Sequence, residues 1–209
     1  ALELGIPFSD PLADGPVIQR AGQAALESGA TVAGCLEIAA SVSGKAPIVF
    51  MSDVNPILSY GPERFAADAA AAGVAGVILT DLPPEESESV VAALHEQGLA
   101  TIFLVAPTSS EERIRLICDA SSGFVYCVTL TGVTGVRAEL PEGIGELLDR
   151  VKAATSLPVA AGFGIATPEH ITALRGVADA AAVGSAVVKE VEAGRDPARL
   201  VEELLTACR

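Results

Sequence analysis

Short, continuous runs of Val, Ile, Leu and Ala alternate along the chain with stretches in which Ala, Leu and Glu recur at helical spacing. The first kind predicts strands at 1–5, 47–52, 75–80, 100–105, 123–129, 158–162 and 179–183. The second predicts helices at 17–29, 62–73, 85–97, 110–120, 142–154, 168–175, 185–192 and 197–207. The strand runs are apolar throughout, which suits parallel strands covered on both faces. Punctuation agrees with this division. Pro84-Glu85-Glu86, Ser109-Ser110-Glu111-Glu112 and Thr167-Pro168-Glu169 read as helix starts with acids in the first turn, and Gly29, Gly73 and Gly98 read as helix stops. The pattern is βα repeated seven times, and no linker or low-complexity segment divides it, so residues 1–209 are expected to form a single domain.

An open doubly wound sheet and a closed (β/α)8 TIM barrel both accommodate this alternation. The polar residues favour the barrel. Glu3, Asp53, Asp81 and Tyr126 fall at or near the C-terminal ends of predicted strands, the face on which barrel active sites assemble. The last two predicted strands run into Ala161-Gly162-Phe163-Gly164-Ile165 and Val183-Gly184-Ser185-Ala186. Glycines there permit close backbone approach to a phosphate, and Gly184-Ser185 opens a helix whose N–H groups and dipole attract an anion. The alternative is a pair of tight turns without a ligand.

Composition narrows the function classes. Half of the 209 residues are hydrophobic and 19% are charged, enough for a large core. Charges and prolines interrupt the apolar segments well short of bilayer-spanning length, so no membrane helix is expected. The first residues carry no signal-peptide pattern; the chain opens at Ala1 inside a strand. A formal net charge of −14 repels nucleic acid and leaves an anionic substrate to be held by oriented backbone N–H groups. Cys35, Cys118, Cys127 and Cys208 lie far apart with no C-x-x-C pair, which argues against a zinc site or a disulfide framework. Reduced core thiols in a cytoplasmic protein are the expectation.

Two carboxylates near the start are the leading candidates for chemistry. Glu3 lies in an apolar strand and is expected to be half-buried; Asp14 rides on the Pro/Gly-rich loop that follows. Surroundings that different can hold two carboxylates in different protonation states, as a general acid and base require. The competing reading makes Asp14 a turn organiser and Glu3 a strand-end charge. His95 and His170 fall among polar neighbours in predicted helices and are expected at the surface, Lys189 and Arg195 are expected to be solvated, and the pairs Glu85-Glu86 and Glu111-Glu112 are taken as helix N-terminal charges.

The run Leu-Glu-Leu-Gly-Ile-Pro-Phe-Ser-Asp-Pro-Leu-Ala-Asp-Gly-Pro at positions 2–16 resembles the signature of tryptophan synthase alpha chains. The likeness continues, in order, through Asn55-Pro56, Asp81-Leu82-Pro83, Thr131-Gly132-Val133-Thr134-Gly135, Gly162-Phe163-Gly164-Ile165 and Gly184-Ser185-Ala186.

The resemblance implies a TIM-barrel lyase that cleaves indole-3-glycerol phosphate to indole and glyceraldehyde 3-phosphate by a retro-aldol reaction. The indole would pass to a pyridoxal-phosphate-dependent beta chain in an alpha2beta2 heterotetramer, with no cofactor and no metal in this chain. Glu3 matches the family's acid/base residue and Asp14 the carboxylate that partners the indole N–H. Ile18, Met51, Ile78, Leu104, Tyr126 and Phe163 match the indole pocket, although any apolar one could equally be plain core. Gly135, Gly164, Gly184 and Ser185 match the phosphate ligands. Positions 10–16 match the loop that touches the beta chain, and 131–139 match a lid whose Thr134 bonds to Asp14 on closure.

Two departures from the family accompany these matches. Asp53 stands where the family usually carries an aromatic, which is expected to weaken substrate stacking or alter coupling between subunits. The family also has a complete βα unit before the position of Ala1, supplying a pocket aromatic, so a barrel lacking its first βα unit is expected, with strand edges unpaired beside Glu3. Two other functions fit the same motifs: a stand-alone lyase releasing free indole, and a catalytically idle activator of the beta chain.

Overall fold

The structure, a computed structural model, describes residues 1–129, 143–162 and 164–208. Its backbone packs as two compact units, the first comprising Ala1–Ala13, Gly22–Phe103 and Ala120–Gly123, the second Asp14–Ala21, Leu104–Asp119 and Phe124–Arg209.

The first unit is built on β1 (Leu2–Gly5), followed along the chain by α1 (Pro16–Glu27), whose residues the units share, and α2 (Val32–Val42). Then come β2 (Ile48–Ser52), α3 (Val54–Tyr60), α4 (Pro62–Ala71) and β3 (Val74–Leu79), and after a single 3-10 turn at Pro84–Glu86, α5 (Glu88–Glu96) and β4 (Ala100–Ile102). The strands lie in the order β1-β2-β3-β4, all parallel. Register sets Glu3 beside Val49 and Gly5 beside Met51, Met51 beside Ile78, and Ile78 beside Ile102. Paired residues of parallel strands share a face, and residues two apart share it too. Gly76 on that face is an obligate close approach: a Cβ there would sit 2.8 Å from the Ala100 carbonyl oxygen. The opposite face carries Phe50, fully buried with its ring centroid 6.1 Å from that of Phe65 on α4, in a core completed by Ile57, Val77 and Leu94.

The second unit contains β5 (Leu104–Val105), α6 (Glu111–Ala120), β6 (Val125–Val128), α7 (Ile144–Ala154), β7 (Val159–Gly162), α8 (Pro168–Leu174), β8 (Ala180–Ala181), α9 (Ser185–Glu192) and α10 (Pro197–Ala207). Its strands run β5-β6-β7-β8, again all parallel. The core is formed by Ile114, Val125, Cys127, Leu148, Val151, Val159 and Ile165. Side-chain caps fix two helix starts, with the Thr167 hydroxyl accepting from the His170 N–H and Asp196 from the Ala198 N–H, and proline fills the first turn after each. Asp179 joins β7 to β8 by accepting the Val159 N–H at 2.8 Å.

The predicted strands reappear within one or two residues, with two differences. The run at 100–105 is broken at Phe103 into β4 and β5, and the run at 179–183 keeps only two ladder residues in β8. Helices α2 and α3 were not expected. Val, Gly and Cys in α2 obscure the helical period, which the Thr31 side chain secures by accepting the Gly34 N–H; α3 is short and begins Val-Asn-Pro. Among the described residues, no single helix is long and apolar enough to cross a membrane. Cys118 and Cys127 are core thiols as expected, and burial pushes the Cys127 thiol up to about 12; Cys208 is exposed instead.

Candidate functional site

Glu3 lies on β1, which pairs on one side with β2, and shares the sheet face that carries Met51 and Ile78. The side chain is exposed, which corrects the expectation that its strand would half-bury it: on the same strand Leu2 and Gly5 are open as well, and Leu4 alone is half-buried. Asp14 is the half-buried one of the pair. It sits just ahead of α1, where the Gln19 side-chain amide donates to its carbonyl oxygen at 3.0 Å and the Gln19 N–H donates to Gly15. The two carboxylates do differ in surroundings, in the opposite sense to the one expected.

Of the apolar positions proposed for the indole, Met51 is half-buried and Ile78 fully buried on neighbouring strands of the first unit. In the second unit Leu104 pairs directly with Tyr126, and Ile18 is half-buried in the first turn of α1. Tyr126 is buried against Gly162, whose missing side chain makes room for the phenol ring. Phe163, Thr134 and Gly135 lie outside the described residues.

The two glycine turns follow β7 and β8, which are adjacent in the sheet. Gly164 has φ +83°, a conformation open to glycine at little cost. Gly184 opens α9, and Ser185 is that helix's first residue. No side chain caps the start, and the direction in which a Gly184 Cβ would project is open space. The first-turn N–H groups therefore lack an intrahelical partner, the chemistry an anion satisfies. Arg195 is held by Glu190 through two hydrogen bonds of 2.6 and 2.8 Å, and Lys189 is half-buried in the last turn of α9.

The histidines divide. His95 is exposed, as expected, with Nε2 3.1 Å from the Thr101 hydroxyl. His170 is buried, 2% exposed, against the expectation of a surface position: it faces inward with Ile171 and Leu174, and its Nδ1 accepts the Ala166 N–H at 3.2 Å. Its polar sequence neighbours occupy the other side of α8.

One group of residues was only partly anticipated. Asp53, at the end of β2, is buried, and its Oδ1 accepts the Thr80 hydroxyl at 3.1 Å. Asp81, after β3, accepts the Val54 N–H at 2.7 Å and so caps α3 from a neighbouring strand end. Burial, reinforced by the nearby Asp81 charge, raises the Asp53 pKa above the usual aspartate range despite the hydrogen bonds that oppose the shift.

Parallel strands in two four-stranded sheets, interleaved with helices, make this an α/β protein, and its structural neighbours are of the TIM-barrel class. The family model "Tryptophan synthase alpha chain" matches residues 1–209. The chain belongs to the tryptophan synthase alpha chain family, lyases of tryptophan biosynthesis. It is 50% identical over 205 residues to the tryptophan synthase alpha chain of Solibacter usitatus, covering 97% of this chain and 77% of that one. It is 46% identical to that of Acidiphilium cryptum over 212 residues, 98% and 77% of the two chains. Among solved structures, a Mycobacterium tuberculosis tryptophan synthase has a TM-score of 0.91 at 40% identity, covering 99% of this chain and 80% of that chain. A chain of the Pyrococcus furiosus tryptophan synthase alpha2beta2 complex also scores 0.91, at 41% identity, covering 99% and 86%.

Proposed function

We propose that Glu3 and Asp14 carry the family's cleavage of indole-3-glycerol phosphate in this chain. Breaking the bond between indole C3 and the glycerol carbon requires a proton at C3, relief of positive charge at the ring nitrogen, and loss of the proton from the adjacent hydroxyl. Protonated Glu3 delivers the C3 proton, and the resulting carboxylate takes the hydroxyl proton. The carbonyl of glyceraldehyde 3-phosphate forms as the carbon–carbon electron pair returns to the ring. Asp14 accepts from the indole N–H while that nitrogen carries charge. The proton count closes on Glu3.

Phosphate is held by backbone N–H groups around Gly164, Gly184 and Ser185, joined by Gly135, in a chain whose charge of −14 offers little basic surface. Ile18, Met51, Ile78, Leu104, Tyr126 and Phe163 form the apolar surround of the ring, and Thr134 holds Asp14 when substrate is bound. The observation that carries this reading is Glu3 on the same sheet face as Met51 and Ile78, an acid beside apolar surface.

The partner is a tryptophan synthase beta chain in an alpha2beta2 assembly, the organisation of the Pyrococcus furiosus complex. The lyase step uses no cofactor of this chain; pyridoxal phosphate serves the beta chain. The compartment is the cytoplasm, where thiols such as Cys118 and Cys127 stay reduced. Glu3→Gln and Asp14→Asn each keep side-chain shape and remove proton transfer or charge. Each is expected to slow release of indole from indole-3-glycerol phosphate by about a hundredfold or more. Near-normal turnover by either variant would remove that residue from the mechanism.

A further inference from the structure

His170 is buried on α8, and its ring has no part in the chemistry assigned above. Its Nδ1 accepts the Ala166 N–H at 3.2 Å, so the ring proton is on Nε2. Nε2 is buried and has no hydrogen-bond partner among the described residues. An unmet buried donor lowers stability, a loss that an aliphatic side chain beside Ile171 and Leu174 would avoid. What the ring supplies in return is its acceptor.

That acceptor holds the turn after β7. His170 grips the turn twice: its backbone N–H donates to the Thr167 hydroxyl at 3.3 Å, while its ring reaches back to the Ala166 N–H. A side chain at the third position of a helix commonly reaches back to the N–H of the capping residue; here it passes Thr167 and takes the residue before it. Ile165, between Ala166 and Gly164, is anchored in the core. Gly164, at φ +83°, is thus followed by two successive residues fixed to the second unit, one by its side chain and the other by its N–H. Glycine gives the turn backbone freedom, and these two attachments restrict it.

We propose that His170 is a positioning residue for phosphate: through the Ala166 N–H its Nδ1 fixes the turn that presents the Gly164 backbone, and it keeps the Ala166 N–H from serving the ligand. The proposal rests on the placement of phosphate at Gly164, Gly184 and Ser185 above. The substrate's phosphate lies at the far end of the glycerol chain from the bond that breaks, so such positioning is read in KM and not in kcat.

The test compares His170→Asn with His170→Leu. The two side chains branch alike, but Asn Oδ1 stands where Nδ1 accepts, whereas a Leu methyl group accepts nothing. His170→Leu should raise KM for indole-3-glycerol phosphate, and the inhibition constant of inorganic phosphate against it, by about fivefold, the scale of one lost hydrogen bond, with kcat little changed. His170→Asn should keep both close to the values of the unmutated chain. A merely structural role would lower the melting temperature without separating the two variants in KM. A KM for His170→Leu no higher than that of His170→Asn, or a loss confined to kcat, overturns the proposal.

Amide hydrogen exchange in the unmutated chain decides the matter even if the variants do not fold. The Ala166 amide should be protected without phosphate; an Ala166 amide that exchanges freely until inorganic phosphate is added overturns the proposal. Failure of the phosphate site is read separately. Unchanged KM and phosphate inhibition in Gly184→Val remove the site and this proposal with it, whereas a raised KM in Gly184→Val beside an unchanged one in His170→Leu removes His170 alone.

Discussion

Placing a methyl group on Gly162 tests the most crowded contact of the second unit. A Cβ built there would lie 2.5 Å from Cε1 of Tyr126, and closer still to Cζ and Oη. Such separations cannot be met by small adjustments, and the ring has nowhere easy to go. Tyr126 is 4% exposed, its strand is hydrogen-bonded to β5 and β7, and the Phe124 ring lies 6.5 Å away, centroid to centroid. Overpacking of this kind costs about 1–3 kcal/mol. At about 2–4 °C per kcal/mol for a chain of this length, Gly162→Ala should lower the melting temperature by roughly 2–12 °C. Thermal unfolding followed by circular dichroism, in a double-mutant cycle with Tyr126→Ala, isolates the cause. With the ring gone, the added methyl group enters a vacated volume, so Gly162→Ala should be neutral or mildly stabilising in that background. An equal loss with and without the ring would refute the reasoning, because the damage would then come from the backbone rather than from the phenol. If Tyr126 lines the indole site as proposed, Gly162→Ala should also raise KM for indole-3-glycerol phosphate.

Two further outcomes follow from the glycine turns and the sheet. Gly184→Val projects a branched side chain into the open space at the start of α9 and should raise KM strongly, whereas Lys189→Ala, which alters the last turn of that helix, should change it little; steady-state kinetics showing the reverse ranking would rule out phosphate binding by the helix start. The Val159 N–H, followed by Lys152, holds the Asp179 pKa below the usual aspartate value, so its stabilisation is present above that value, about 4, and is lost as pH falls through the lower folded value. Urea unfolding should find Asp179→Asn less stable by about 1 kcal/mol at neutral pH, discounted because the side chain is half exposed, with the gap closing below pH ~4; a gap independent of pH would mean that charge is not the cause.

Most strands and eight of the helices were readable because their signals are local. Apolar runs such as Ile48 to Ser52 and helix openings such as Thr167-Pro168 depend on neighbours in sequence. Information was lost where the deciding contact is distant. Phe103 reads as mid-strand, but the ladder changes partners there, from β3 with β4 to β5 with β6. His170 has polar neighbours in sequence, and only the packing of α8 reveals that its ring faces inward. Glu3 reads as half-buried from its apolar flanks, whereas exposure is set by what covers the sheet. Asp53 stood out as a departure from the family pattern, yet its hydrogen-bond partner Thr80 lies in a segment far from it along the chain.

The cap on α3 bears on the order in which the chain can fold. A seven-residue helix is too short to persist in water by itself, and Asp53, the residue at its start, leaves it uncapped. The acceptor for the Val54 N–H is Asp81, 27 residues later and beyond the end of β3. The cap on α3 is thus a consequence of β2–β3 pairing. During synthesis it can form only after α4, β3 and Asp81 have followed the stretch from Val54 to Tyr60, so the loop-closure cost of joining those strands is met before the cap can contribute to holding them.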